Sequence, residues 1–402
     1  MKVMHCRLCH SSSIQKVVGL GLHPLADTFI PPEYADEPER SFPLELGLCH
    51  DCGHVFSLYS ITPEERYQKY DYSYDSSNSK VAVDHFAEFS RTVIETAGPK
   101  PDALVVDIGS NVGTLLTQFR NNGYQNVQGV DPSGNISKIA NNAGIPTIHD
   151  FFCKSSVNLM LEKGQAEIIL SSNVLNHVDD FDALLQNINL LLSPTGSLVF
   201  EVPYLLDLVK DTSFDTIYHE HSHYFGIKPL SLRLGQSGLF IYKIERNRYM
   251  GGSVRVYARK NKAHATVVKE MIDAEHAFGL YSLATYIKFM DRVRKVKYSV
   301  NQYLWKIKSE GGKIVGIGAA TKGNTLLNYC RIDADLISFI TDASPLKIGK
   351  LAPGSRIPIA CDSDIDSSVT HALILPWNIA DFLKTKLAHL NVEFYSPQVE
   401  TI

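Results

Sequence analysis

Over most of its length the chain alternates short apolar runs with longer amphipathic stretches. The runs ALVVD (103–107), NVQGVD (126–131), AEIIL (166–170) and SLVFEV (197–202) are mainly apolar, and two of them close on an acid. Continuous apolarity over that length predicts strands buried on both faces, as in a parallel sheet covered by helices. Spacing between the runs predicts helices, one over about 81–97 and one opening at Thr114. The alternation restarts from about Phe289, with KIVGIG (313–318), ADLISFITD (334–342) and HALIL (371–375). The first stretch is different: residues 19–48 are rich in Pro and Gly and carry no helical period. The expected class is therefore α/β. A small N-terminal domain (1–68) precedes two parallel-sheet units (69–288 and 289–402).

A chain of 402 residues exceeds one ordinary core, in keeping with several domains. Apolar residues at 44% and charged residues at 20% are those of a soluble globular protein. Thirty-nine basic against forty-three acidic residues leave a net charge of −4, so nucleic acid is not an expected partner. The opening MKVMHCRLCHSSS has no apolar signal region, and no apolar run reaches the length of a membrane span. No membrane partner is expected. Four of the seven cysteines form two CxxC pairs, Cys6/Cys9 and Cys49/Cys52. Paired spacing suits a reducing compartment, hence the cytoplasm, and four thiolates complete a tetrahedral structural zinc site. Such a metal would compensate for the weak core of this stretch. His5, His10, His50 and His54 flank the thiols as supporting or surface groups.

Two turns and one crowded stretch carry the chemistry. Asp107 ends the first buried run, and the turn Gly109-Ser-Asn111-Val-Gly113 follows it into a helix. A strand, a glycine-rich turn and a helix N-terminus form a nucleotide-binding corner. Asp131 ends the next run, where an acid takes ribose hydroxyls, and Asp150-Phe151 stands where an adenine would stack and bond. This set is more similar to the S-adenosylmethionine (SAM) methyltransferase fold than to the NAD fold. The second turn, GIGAATKGNTL, holds Lys322, Asn324 and Thr325, and suits a phosphate or pyrophosphate or else simple packing. The stretch FDTIYHEHSHYFG (214–226) holds three histidines and admits metal ligation, proton transfer or hydrogen-bonded packing. If it is extended, His219 and His221 share one face and Tyr218 and Glu220 the other, whereas a tight turn breaks that alternation.

With HPLADTF (23–29), YSYDSS (72–77), VVDIGSNVG, NVLNHVDD, YHEH (218–221), GGSVRV (251–256), GAATKGNTLLNYC and LPWN in this order, the chain resembles nucleotide-sugar C-methyltransferases along nearly its whole length. The resemblance implies zinc, SAM and two Rossmann-like domains, the second of which binds the nucleotide sugar. It implies methylation beside the ketone of a 4-keto-6-deoxy nucleoside-diphosphate sugar, taken as C3 with C5 open, through an enolate. It further implies His221 as the base, with Tyr218, Glu220, His177 and Tyr74 around the sugar. Asn173 would hold the amino-acid end of SAM, and Lys322, Asn324, Thr325 and Arg255 would hold the substrate. Arg255 has the alternative of a buried strut, Tyr74 that of an ordinary buried aromatic, and His219 is taken as structural. Two positions depart from the family: Met250 stands where histidine is usual, and Asp27 where asparagine is more common. A monomer is expected. The competing classes are a zinc-containing RNA methyltransferase, an NAD-dependent sugar oxidoreductase and a non-catalytic nucleotide-sugar binding protein.

Overall fold

The computed structural model describes residues 1–67, 72–261 and 265–397. Strands β1 (Ile14–His23), β2 (Phe42–Cys49) and β3 (Val55–Ser57) form an antiparallel meander. The next five, β4 (Val105–Ile108), β5 (Val127–Asp131), β6 (Thr147–His149), β7 (Ala166–Ser172) and β8 (Leu192–Pro203), lie parallel. β9 (His223–Tyr224) leaves that unit and pairs with β3 as the fourth strand of the N-terminal sheet. β10 (Phe240–Asn247) and β11 (Ser253–Arg259) return antiparallel beside β8, giving the order β10-β11-β8-β7-β4-β5-β6. The last sheet is built from β12 (Ile314–Ile317), β13 (Ile337–Thr341), β14 (Ile359–Ala360), β15 (His371–Ile374) and β16 (Glu393–Tyr395). All five are parallel, in the order β14-β13-β12-β15-β16.

Both doubly covered sheets arise from the runs read in the sequence. All residues of β4, β5 and β12 are buried, which their unbroken apolarity requires when helices pack on both faces. The first strand is displaced: it begins at Val105 and runs one residue past Asp107. The helix Lys80–Ala97 buries Phe86, Phe89 and Val93, and ends at Gly98 in the left-handed region.

The expected boundary at 68/69 lies outside the described residues. The one at 288/289 falls inside a single helix, Leu283–Ser309. Its buried face, from Tyr286 and Phe289 to Leu304 and Ile307, repeats every three or four residues without a break. That helix carries the chain from the central unit to the C-terminal one. Among the described residues no helix is long and apolar enough to cross a membrane.

Candidate active site

The carboxyl ends of β4, β5, β7 and β8 open into a cavity of about 1230 Å³. Its walls come from all three units. Asp27, Arg66 and Tyr67 contribute from the N-terminal segment, and Lys322, Asp342 and Lys347 from the C-terminal unit.

At the β4 end the turn is built for close approach. Gly109, Asn111 and Gly113 have φ of +67°, +52° and +82°. A Cβ on Gly109 would stand 2.4 Å from Val174 Cγ2, so no other residue fits there. Asn111 is held in the left-handed region by donating Nδ2–H to Tyr74 O and accepting from Ser76 N–H. Asp131 fastens the turn, accepting from Asn111 N–H at 3.0 Å and from Ser133 N–H at 2.9 Å. Asp107 is 3% exposed and its Oδ1 has no partner. Burial, with the neighbouring Asp131 second, pushes its carboxyl up to about 8. Asn173, at φ +56°, also has a buried Oδ1 with no partner. Unpaired buried oxygens are costly, and both residues line the cavity. They mark where a ligand rich in donors fits, and the ammonium and ribose of SAM are such donors.

Two imidazoles stand at the other end of this wall. Tyr218 to His221 form a tight turn, with His221 N–H donating to Tyr218 O at 3.0 Å. The turn breaks strand alternation, so Tyr218, Glu220 and His221 all line the cavity. His219 points away and bonds Pro43 O at 3.3 Å. His221 Nδ1 lies 2.8 Å from Thr216 O. A carbonyl only accepts, so Nδ1 carries the proton and the Nε2 lone pair remains for the cavity. Burial lowers the imidazole to about 3, which keeps the ring neutral. His177 sits with its ring centroid 4.8 Å away and its Nδ1 2.8 Å from Tyr67 Oη. Burial, then His221 and Arg66, hold it well below its usual range. Glu220 accepts from Asp27 N–H through Oε1, while its buried Oε2 has no partner, and burial raises the carboxyl to about 7. Tyr74 lines the same space and shares a hydrogen bond with Tyr249.

The third wall is cationic. Lys322 opens the helix Thr321–Cys330, bonds Asn378 Oδ1 and lies 5.0 Å from the Trp377 ring. Burial lowers its ammonium to about 8, and Asp215 opposes that shift.

The structure keeps several expected residues out of the cavity. Arg255 is 2% exposed and spans Glu201 and Glu88 as a strut, bonding Glu88 Oε2 at 2.9 Å. Asn324 and Thr325 face inward along their helix and donate to Ala26 O and Ile217 O, tying the C-terminal unit to the other two. Asp150 is spent on Phe151 N–H and Ser155 Oγ–H, although Phe151 itself lines the cavity. Gly113 makes room for Ile145 and caps its helix.

Other lining residues gave no signal in the sequence. His85 bonds the fully buried Glu201 at 2.7 Å and stacks on Tyr249 at 3.8 Å. Tyr67 and Arg66 reach His177 from the N-terminal segment. These partners stand more than a hundred residues apart along the chain, and no local pattern around either one marks the pairing.

The four cysteines converge. Their sulfurs lie within 4.8 Å of one another, with Cys6–Cys52 at 3.7 Å and Cys9–Cys49 at 3.5 Å. Tetrahedral zinc with bonds of about 2.3 Å spaces its sulfurs by about 3.8 Å, so this set fits.

A glycine-turned nucleotide corner, orphaned acceptors and the mixed seven-stranded sheet define a SAM-dependent methyltransferase. Family models for a zinc binding domain match residues 6–67, for a methyltransferase domain 82–244, and for a C-methyltransferase C-terminal domain 248–393. C-methyltransferase NovU of Streptomyces niveus is 32% identical over 93% of this chain and 90% of its own. The chain belongs to the C-methyltransferase family, with SAM as cofactor and zinc in its N-terminal domain. Solved structures resemble it remotely. Magnesium protoporphyrin IX methyltransferase of Synechocystis PCC 6803, with bound SAM, has TM-score 0.35 and 16% identity over 45% of this chain and 82% of that one. The PH0226 protein of Pyrococcus horikoshii OT3 has TM-score 0.40 and 13% identity over 49% and 99%.

Proposed function

We propose that this enzyme C-methylates a 4-keto-6-deoxy nucleoside-diphosphate sugar at C3, working as a cytoplasmic monomer. One observation carries the reading. A single cavity joins the SAM corner, a neutral imidazole with a free lone pair, and a buried lysine at a helix N-terminus. SAM, when bound, supplies an electrophilic methyl group. The chain has to generate a carbon nucleophile and hold it. His221 Nε2 takes the proton from the carbon beside the ketone, and an enolate forms. The charge created on the ring is matched by the charge left on the sugar, which offsets the cost of an imidazolium in a buried site. Tyr218 donates to the enolate oxygen, and His177 lies beside it. Glu220 holds a proton at Oε2 near neutral pH and bonds a sugar hydroxyl. Tyr74 packs on the sugar. Lys322 and the adjoining helix N-terminus take the diphosphate.

The test is mass spectrometry of a reaction in heavy water with SAM and a panel of 4-keto-6-deoxy nucleotide sugars. Gain of one methyl mass on a single sugar is expected, and exchange of its C3 proton for deuterium when SAM is withheld. Retention of SAM with neither change on any sugar would overturn the reading. Methylation of RNA in its place would support the competing enzyme class.

A further inference from the structure

We propose that the four-cysteine domain is the positioning scaffold of the catalytic turn, acting through Arg7, Asp179 and Arg66. The inference rests on the reading of His177 and His221 given above. Arg7 lies inside the first knuckle, between Cys6 and Cys9. Its guanidinium leaves the metal module and meets Asp179 Oδ1 at 3.0 Å. Asp179 also accepts from Ser222 Oγ–H at 2.9 Å and forms an ion pair with Arg66. Arg66 then donates to two backbone carbonyls, His177 O at 3.0 Å and Glu220 O at 3.4 Å. The side chains of Arg7 and Arg66 are 6% and 2% exposed, so water competes little for these bonds.

A second tie runs through the backbone. Ser57 N–H donates to Ser222 O at 3.0 Å, and β3 pairs with β9 at Val55–Tyr224 and Phe56–His223. Ser222 N–H donates to Asn176 O at 2.7 Å, which fastens the turn to the loop of His177. Neither histidine sits on a long helix or strand of its own unit. Their 4.8 Å spacing is set by Arg66 clamping both carbonyls and by Asp179 holding Arg66. These three are positioning residues: none is required to touch the sugar. Small displacements of reacting groups cost large factors in rate and little in binding.

The experiment uses full-length, metal-loaded protein. Asp179→Asn should lower kcat by about 30-fold, with KM and SAM affinity within about threefold of wild type and metal content retained. Deuterium uptake by the peptide 218–224 should rise in the same variant. Arg7→Gln should lose less, and the double variant no more than Asp179→Asn alone, because both act on one chain of contacts. Wild-type kcat and uptake in Asp179→Asn, or losses that multiply in the double variant, would overturn the proposal. If Asp179→Asn does not fold, Ser222→Ala decides. A kcat about fivefold lower with faster uptake at 218–224 supports the proposal, and unchanged values sink it. Should the wild type turn over no nucleotide sugar, the assigned reaction fails, while the exchange data still settle the scaffold.

Discussion

A single carbonyl oxygen, that of Thr216, decides which nitrogen of His221 can act. With Nδ1 fixed as the donor, His221→Ala should lower methyl transfer by about 100-fold or more while SAM affinity, read by titration calorimetry, stays near wild type. At Asp107 the chemistry is one of charge. SAM carries net positive charge and favours the ionised carboxylate, yet burial holds this carboxyl up to about 8 in the free protein. Binding at pH 7 should therefore release a proton. Affinity should climb between pH 6 and 8 and level off above. Calorimetry in two buffers of different ionisation enthalpy measures the release, and Asp107→Asn should abolish it. The sign for stability is opposite. A raised carboxyl stabilises the fold at pH below its unfolded value and loses that contribution as pH rises towards 8. Single residues were only partly legible in the sequence. Asp107, Asn173 and His221 could be picked out because their chemistry is tied to local turns. Arg255 could not be told from a phosphate ligand, because its carboxylate partners stand at 88 and 201. The alternation of Tyr218 to His221 was lost to a turn, and that turn let three of its four residues face one cavity.

Elements were the most legible level, since strand, turn and helix are local events. β4 and its turn lie within a residue or two of where the apolar run and the glycines put them. Gly109→Ala should weaken SAM binding at least tenfold at nearly unchanged Tm. A methyl there meets Val174 and opposes a φ of +67°. The contacts between elements were not legible. Glu275, on the helix Thr266–Phe278, is fully buried. It accepts from Tyr204 Oη–H, Tyr281 Oη–H and the first two N–H groups of the helix Ile227–Gln236. Nothing in its own helix marks it. Glu275→Ala leaves four buried donors unpaired and should cost about 3 kcal/mol or more, read as a lower urea midpoint.

For the whole molecule, three units share one core. A single contiguous apolar cluster runs from Cys6 and Leu8 through Val106 and Phe200 to Ile337 and Leu375. Calorimetry should show one cooperative transition, not three, and zinc release followed with a chelating dye should coincide with it. A metal-free protein with an unchanged Tm would contradict the structural role of the four thiolates. The domain count could be read from the return of the sheet pattern, but the seam between domains could not. It is made by helix Leu283–Ser309 and by side chains such as Asn324 and Thr325 that bond across it.

The pairing of β3 with β9 also bears on how the protein is made. The N-terminal sheet cannot gain its fourth strand until residue 224 has left the ribosome, long after the cysteines have emerged. Until then Val55–Ser57 is an open edge of apolar side chains and unsatisfied amides, a template for another nascent chain. A fragment ending near residue 67 keeps that edge permanently. Expressed alone, it should self-associate even when loaded with zinc, and restoring the chain through Tyr224 is the shortest extension that closes it.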